Sequence, residues 1–542
     1  LPQQQGPDAE HFDWYDPVVI SACLQQRFHE PMNEVFDYVI VGAGSAGSVL
    51  ARRLVDAGHT VCLLESGPSD SSPYIHVPAG FLRTLLDPRL TWRYKTAASE
   101  RTAGRRIPAV HGRVVGGSSS VNGMVWVRGQ PDDYDDWAAK GNPGWRFEDV
   151  ERYFERAESM LGVTAGDWRH PLCDALINAA QEHVEPGAAA YYRRNIRRGR
   201  RVSSARAYLR PILRSPNLAL RTAAHATTVR FQGRRAIGVD YLHQDQPGTP
   251  RGVRARREVI VCAGALASPR LLQVSGVGPR ELLAELGIGM VHELPGVGEN
   301  LRDHHTARII ARVRDVRTIN EIGRRFSAGI EGLKWLLGQP SLLSVSAAIT
   351  HVFGRSTPQA ERPDVALIFT PGSYKGGVLG LLDEFPGMTL GAWPLRPRSS
   401  GTVQASTTDP FALPRVDPNY LGDEEDRRIL IAGLKFGRRL LSSPAFAPYF
   451  AQEESPGPQA QSDDELLDHA RRTGTTCAHF VGSCRMGPAN LSDSVVDAQL
   501  RDHGVDALRV VDASVMPMIT SGNTNAPTMM IAEKAADLLL QG

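Results

Sequence analysis

Cysteine is scarce and scattered in this 542-residue chain. The six residues, Cys23, Cys62, Cys173, Cys262, Cys477 and Cys484, form no C-x-x-C pair. That spacing argues against a disulfide scaffold or a thiolate zinc site and favours a reducing compartment, so a cytoplasmic location is expected. No apolar run approaches the roughly 18 residues that a membrane helix needs, so no membrane span is expected. Net charge is only +2, which gives no general electrostatic case for binding nucleic acid or a membrane. Internal repeats and long low-complexity linkers are also missing. His304 and His305 follow Asp303, but no set of ligands at metal-binding spacing accompanies them, so no metal is expected and a packing role is assigned to the pair.

What the chain does have is apolar content. Hydrophobic residues make up 42% and charged residues 22%, a balance that excludes a mostly disordered chain. The length exceeds what one hydrophobic core usually serves, so two domains are expected. The opening apolar stretch from Val18 to Leu24 is short and preceded by Asp13 and Asp16, which does not suit a secretory signal. Residues 1–32 read as a leader or an appended extension, with Met32 as an alternative start.

Tyr38 to Val41 is a short apolar, β-rich run, the pattern of a buried parallel strand. It leads into Gly42-Ala43-Gly44-Ser45-Ala46-Gly47, which matches G-x-G-x-x-G, and then into helical spacing at Ala46, Val49, Leu50 and Leu54. A second strand, Thr60 to Leu64, ends at Glu65. In this order Gly42 permits a tight turn, Gly44 lets a pyrophosphate approach the backbone, and Gly47 allows close helix–strand packing. Glu65 is placed to bind ribose hydroxyls. The unit indicates a dinucleotide without separating FAD from NAD. No second such unit follows, so one dinucleotide is expected.

Three further segments carry a resemblance. His111-Gly112-Arg113-Val114-Val115-Gly116-Gly117-Ser118-Ser119-Ser120-Val121-Asn122-Gly123 resembles the flavin-cradling loop of the glucose-methanol-choline (GMC) oxidoreductases. The stretch from Gly264 to Gly278 resembles that family's second signature. Cys477 to Gly487, together with Asn523 to Thr528, resembles its catalytic segment. The order and spacing hold from about residue 34 to residue 540.

The resemblance implies an α/β fold: a Rossmann-type FAD-binding domain interleaved with an α+β substrate-binding domain whose large sheet is covered by helices. It assigns 33–155, 205–310 and 465–542 to the FAD domain, and 156–204 and 311–464 to the substrate cap. It implies FAD contacts from Gly42, Gly44, Ser45, Ala46, Gly47, Glu65, Gly117, Ser118, Asn122, Gly123, Val229, Asp512, Ala513, Asn525 and Pro527. Some relatives tether FAD through a histidine one position before that asparagine. Here the position is Val121, so noncovalent FAD is expected. Pro527 suits the first turn of a helix running to about Leu540, whose positive end would face the flavin.

The implied chemistry is oxidation of a primary alcohol by an FAD-dependent oxidase or dehydrogenase. His479 would be the base and Asn523 a donor to the substrate oxygen. Oxygen, a quinone or another redox carrier would accept the electrons. A base tuned near neutrality predicts a reduction rate that rises with pH and then levels off. A hydroxynitrile lyase of the same fold is the alternative, and His479 counts against a third reading, a light-driven decarboxylase. Arg193 to Arg201, the sharpest charge run, reads as a solvated loop, and Gly376 to Leu382 as a lid or a buried loop.

Overall fold

A computed structural model describes residues 34–323, 325–375 and 381–541. Expectations about residues 1–33, including Cys23, and about most of the Gly376–Leu382 stretch lie outside the described residues.

The run that reads as a buried strand becomes Glu34–Val41, the centre of the first sheet. Its parallel neighbours are Val61–Leu64 on one side and the end of Gln246–Val261 on the other. Leu218–Arg221 extends the sheet beyond Val61–Leu64, and Leu508–Val510 adds in parallel beside Gln246–Val261. Val39, Ile40, Val61, Leu63, Val259 and Ile260 are fully buried, as expected of parallel strands covered on both faces. The first half of Gln246–Val261 instead pairs antiparallel with Arg235–His243, which pairs with Ala224–Gln232. The helices Ser45–Asp56 and Asn525–Gln541 pack against one another although they come from opposite ends of the sequence.

The second large sheet is antiparallel. Its order is Phe450–Ser455, His305–Val313, Gly387–Pro394, Val365–Thr370, Thr350–Gly354 and Ala189–Tyr191. Alternate residues on one face, among them Ala307, Ile309, Leu367, Phe369 and Leu390, pack with Leu430, Leu434 and Leu440 of the helix Glu424–Leu441. The period of two therefore turns Ala366, Ile368 and Trp393 to the opposite face, where Ala366 and Trp393 cluster with Leu395, Phe353, Ile368 and Cys477.

Two elements cross the boundaries drawn from sequence. Strand His305–Val313 passes residue 310 and pairs within the second sheet. Helix Phe147–Leu161 passes residue 155 and buries Val150, Phe154 and Leu161 in the first core.

Candidate active site

The glycine turn is built by close backbone approach. A Cβ on Gly47 would lie 1.9 Å from the carbonyl oxygen of Gly42, so only glycine lets the helix start against the strand. Gly117 has φ +52, and a Cβ there would lie 2.7 Å from Cα of Gly44. The dinucleotide turn and the Gly117–Ser120 turn thus meet face to face. Ser45 Oγ donates to Asn525 Oδ1 at 2.7 Å, joining the starts of two helices 480 residues apart in sequence. Neither helix has an acidic residue in its first turn, and Gly44 supplies no side-chain cap. By contrast, Asp463–Thr473 and Glu424–Leu441 each begin with three acidic residues. Two positive helix ends side by side, with no acidic residue in either first turn, form a corner suited to an anion.

Glu65 is buried beside this corner. Its carboxylate accepts from the amides of Ala43 (3.0 Å) and Gly67 (2.8 Å), and burial pushes its pKa up to about 7. The bonds hold the turn and leave the carboxylate further lone pairs. Ala46 is buried in the core next to the turn. Asp512 accepts from the Gly264 amide (2.8 Å), Ser268 Oγ (2.6 Å) and the Ser514 amide (2.8 Å), fixing Ala513 behind it. Val229 stands on Ala224–Gln232, where its amide donates to Ser275 Oγ at 2.8 Å. It shares no hydrogen bond with the other expected contacts among the described residues. Pro527 lies in the first turn of Asn525–Gln541, which extends one residue past the expected end.

Asn122 Oδ1 accepts from the Met124 amide (3.0 Å) and from Arg201 Nη1 (2.9 Å). No described group takes its Nδ2. Gly123 faces Ala347, whose Cβ would be 2.7 Å from an added Cβ. Ser118 Oγ accepts from the Gly112 amide, and its carbonyl accepts from the Asn122 amide. Val121 is buried with Ile75, Leu90 and Val114.

Arg201 corrects the reading of the arginine run as one solvated loop. It is 1% exposed, donates to Ile75 O and Ser119 O as well as to Asn122, and keeps Nη2 buried without a partner among the described residues. Desolvation lowers its pKa to about 9. Arg194 is buried too, whereas Arg197, Arg198 and Arg200 are exposed. A run of identical residues gives no period from which inward and outward positions can be told apart.

The catalytic pair expected from the motif does come together. Asn523 Nδ2 lies 2.9 Å from His479 Nε2, and His479 Nδ1 lies 2.9 Å from Nδ1 of His304. His304 Nε2 lies 2.9 Å from the carbonyl oxygen of Leu395. A carbonyl only accepts, so His304 Nε2 carries a hydrogen. Burial holds the His304 pKa down to about 4, so the neutral ring presents an acceptor lone pair at Nδ1. His479 must then donate from Nδ1, which leaves its Nε2 as the bare, basic nitrogen facing Asn523. The Asn523 amide donates to that same lone pair, an independent agreement on the tautomer.

His304 is thus more than a packing residue. His305 does pack, with its ring 4.7 Å from that of Tyr420.

Asp303 pins the backbone that carries His479. Its carboxylate accepts from the His479 amide (2.7 Å), Tyr420 Oη and Thr476 Oγ1. Thr476 Oγ1 also accepts from the Ala478 amide at 2.7 Å, and Ala478 adopts a left-handed φ of 58°. That turn is costly for a residue with a Cβ and is held by this network. Trp393 closes one side of the base, its ring centroid 6.3 Å from that of His479.

Burial lowers the His479 pKa well below the ordinary histidine value, with smaller contributions from His304 and His111. The expectation of a base tuned near neutrality is therefore revised. The ring stays neutral through the whole neutral range.

Five further histidines, His111, His225, His304, His305 and His351, are held at about 4 by burial. Each binds its proton more readily unfolded, so stability present above pH 6.5 is lost as pH falls from 6.5 toward 4. Glu65, raised to about 7, and Asp303, raised to about 6, act in the opposite direction. His479, His76, His170, His292 and His469 are lowered too, and Glu299 and Asp502 are raised. The lowered histidines outnumber the raised carboxyls, so the urea midpoint should fall between pH 7 and pH 5. A midpoint that rises over that interval would contradict this protonation scheme.

Comparison with known proteins agrees with this architecture. The family pattern described as GMC oxidoreductase matches residues 36–306 and 397–532. The chain is 37% identical to an alcohol dehydrogenase [acceptor] of Pseudomonas putida, covering 94% of this chain and 96% of the relative. It is 34% identical to an oxygen-dependent choline dehydrogenase of Photobacterium profundum, covering 94% of each. Among solved structures it resembles pyridoxine 4-oxidase from Mesorbium loti, with TM-score 0.83 and 28% identity over 93% of this chain and 99% of that one. A fungal aryl-alcohol oxidase shares the fold, with TM-score 0.79 and 22% identity over 93% and 99%.

Proposed function

The chain belongs to the GMC oxidoreductase family, and on that premise we propose that it oxidises the CH–OH group of a small or medium primary alcohol to an aldehyde. The observation that carries the reading is the neutral His479 ring, with Nε2 bare, 2.9 Å from Asn523 Nδ2. A hydroxyl that displaces this Asn523–His479 hydrogen bond and bridges the two side chains would give its proton to Nε2 and accept a hydrogen bond from the amide. His304 keeps the proton on Nδ1, so the ring cannot present the wrong nitrogen.

As a GMC oxidoreductase the chain uses FAD, which when bound supplies the acceptor for the hydride. The residues present fit it. The helix starts at Ser45 and Asn525, without acidic residues in their first turns, suit the pyrophosphate and the flavin's electron-rich edge, and Glu65 keeps lone pairs for ribose hydroxyls. Asn122 Nδ2 offers a donor beside Gly117, Ser118 and Gly123, and the buried Arg201 holds the Asn122 Oδ1 in place. Asp512 holds Ala513 in place, and Val229 remains an expected contact from the motif.

Val121 has no nucleophilic atom and is packed in a core cluster. Acid precipitation should therefore release all the flavin as FAD, and colour left in the pellet would contradict noncovalent binding. Glu65→Ala should weaken FAD retention on gel filtration yet keep turnover when FAD is in excess. Retention equal to that of the unaltered protein would place the ribose elsewhere.

The apolar packing around Cys477, beside His479 in the chain, supports uncharged alcohols over choline-like cations as substrates. Ala366, Trp393, Phe353, Ile368 and Cys477 give an apolar surface. The charged groups acting on Cys477 are Asp303, already engaged by three donors, and the Arg308 guanidinium. The test is a panel of aliphatic, aromatic and choline-like alcohols, assayed aerobically for peroxide and again with an artificial acceptor. Neutral primary alcohols should be preferred, and the two assays distinguish oxygen from a quinone or other carrier. Exclusive turnover of choline would overturn this substrate reading.

A further inference from the structure

The helix Arg325–Leu336 is mounted inside out. Glu331 is buried, its carboxylate accepting from Lys334 Nζ (2.7 Å) and the Leu342 amide (2.6 Å). Ile330, Leu333, Leu336 and Leu337 face outward, exposed by 50, 59, 73 and 66%. Ridges at i, i+3 and i+7 normally face a core, so this stripe lacks the cover its chemistry calls for. Beside it runs the exposed part of the arginine loop. Trp335 Nε1 donates to Gly199 O at 2.6 Å, and the Arg200 guanidinium lies 5.0 Å over the Trp335 ring. Arg197, Arg198 and Arg200 are exposed and form no ion pair among the described residues. Residues 342–347 then lead from this helix to Gly123, where the Ala347 amide donates to the Gly123 carbonyl.

We infer that this face docks on a membrane surface carrying anionic lipid headgroups, with the leucines entering the headgroup–acyl boundary and the arginines meeting the lipid charge. An apolar row turned outward and flanking cations together suit an interfacial helix. A second copy of the chain fits less well, because a two-fold interface on the stripe would bring both arginine sets together. Docked this way, the protein would hold its substrate side close to the bilayer, where apolar alcohols and quinone-type acceptors dissolve.

The test is co-sedimentation of the FAD-loaded protein with phosphatidylcholine vesicles, with and without phosphatidylglycerol. The unaltered protein should pellet with the anionic vesicles, bind phosphatidylcholine alone at least tenfold more weakly, and be released by salt. Leu333→Glu with Leu336→Glu should abolish binding while leaving the flavin spectrum and alcohol turnover in solution unchanged. Arg197→Gln with Arg198→Gln and Arg200→Gln, which leaves the leucine stripe intact, should weaken binding by about fivefold per charge. Protein that stays in the supernatant with anionic vesicles would overturn the inference, as would both variants pelleting like the parent. So would a dimer that ignores vesicles and dissociates in the double leucine variant.

Discussion

His479→Ala should slow anaerobic flavin reduction by about 10²- to 10⁴-fold, the usual contribution of a positioned general base, while FAD stays bound. The variant removes the bare ring nitrogen that faces Asn523, and it leaves the Ser45–Asn525 corner and Glu65 untouched. Stopped-flow reduction under saturating alcohol isolates the effect from the choice of electron acceptor. The unaltered protein should keep a flat rate through neutral pH and lose it only below 6.5, because burial keeps the imidazole neutral. Asn523→Ala should slow reduction but preserve that profile, since the base remains. A near-parental rate for His479→Ala would remove the histidine from the mechanism. Loss of the acid limb in the Asn523 variant alone would reverse the two roles.

The second large effect is expected at His304, which acts through His479 and not on substrate. His304→Leu deletes the acceptor for the Nδ1 hydrogen of His479 and leaves the Leu395 carbonyl without its donor. An unmet buried donor costs about 1–3 kcal/mol, which is roughly 5- to 150-fold if it falls on the reactive tautomer. His304→Gln offers both an acceptor and a donor and should recover part of the rate. A role in packing alone would show the reverse order, with leucine, the more apolar residue, tolerated better than glutamine. The readout is the reduction rate at saturating alcohol, with FAD content as the check on folding.

Much of this site can be read from local sequence, and the rest depends on pairings across the chain. The strand-turn-helix around Gly42 to Gly47 is local: period, glycines and the closing Glu65 all lie within one stretch. The partnership of Asn523 with His479 came through motif resemblance, because nothing in composition links residues 44 apart. His304 was visible only as a histidine beside Asp303 in a segment without other ligands. Its function emerges when strand His305–Val313 pairs with Thr475–Thr476 and carries the preceding residue against the base. Arg201 was hidden for a related reason. Its burial is set by Ile75, Ser119 and Asn122, all at least 79 residues away. The acid shift of His479 follows from the enclosure that Trp393 and His304 complete, and no window of sequence around residue 479 contains it.

Alcohol oxidation can be separated most directly from lyase chemistry on the same fold by mixing the yellow protein anaerobically with a neutral primary alcohol and following the flavin absorbance. The geometry of His479, Asn523 and His304 predicts bleaching in a single phase, with one equivalent of aldehyde formed per flavin. Flavin that stays oxidised with every alcohol, while the protein cleaves a cyanohydrin, would contradict it.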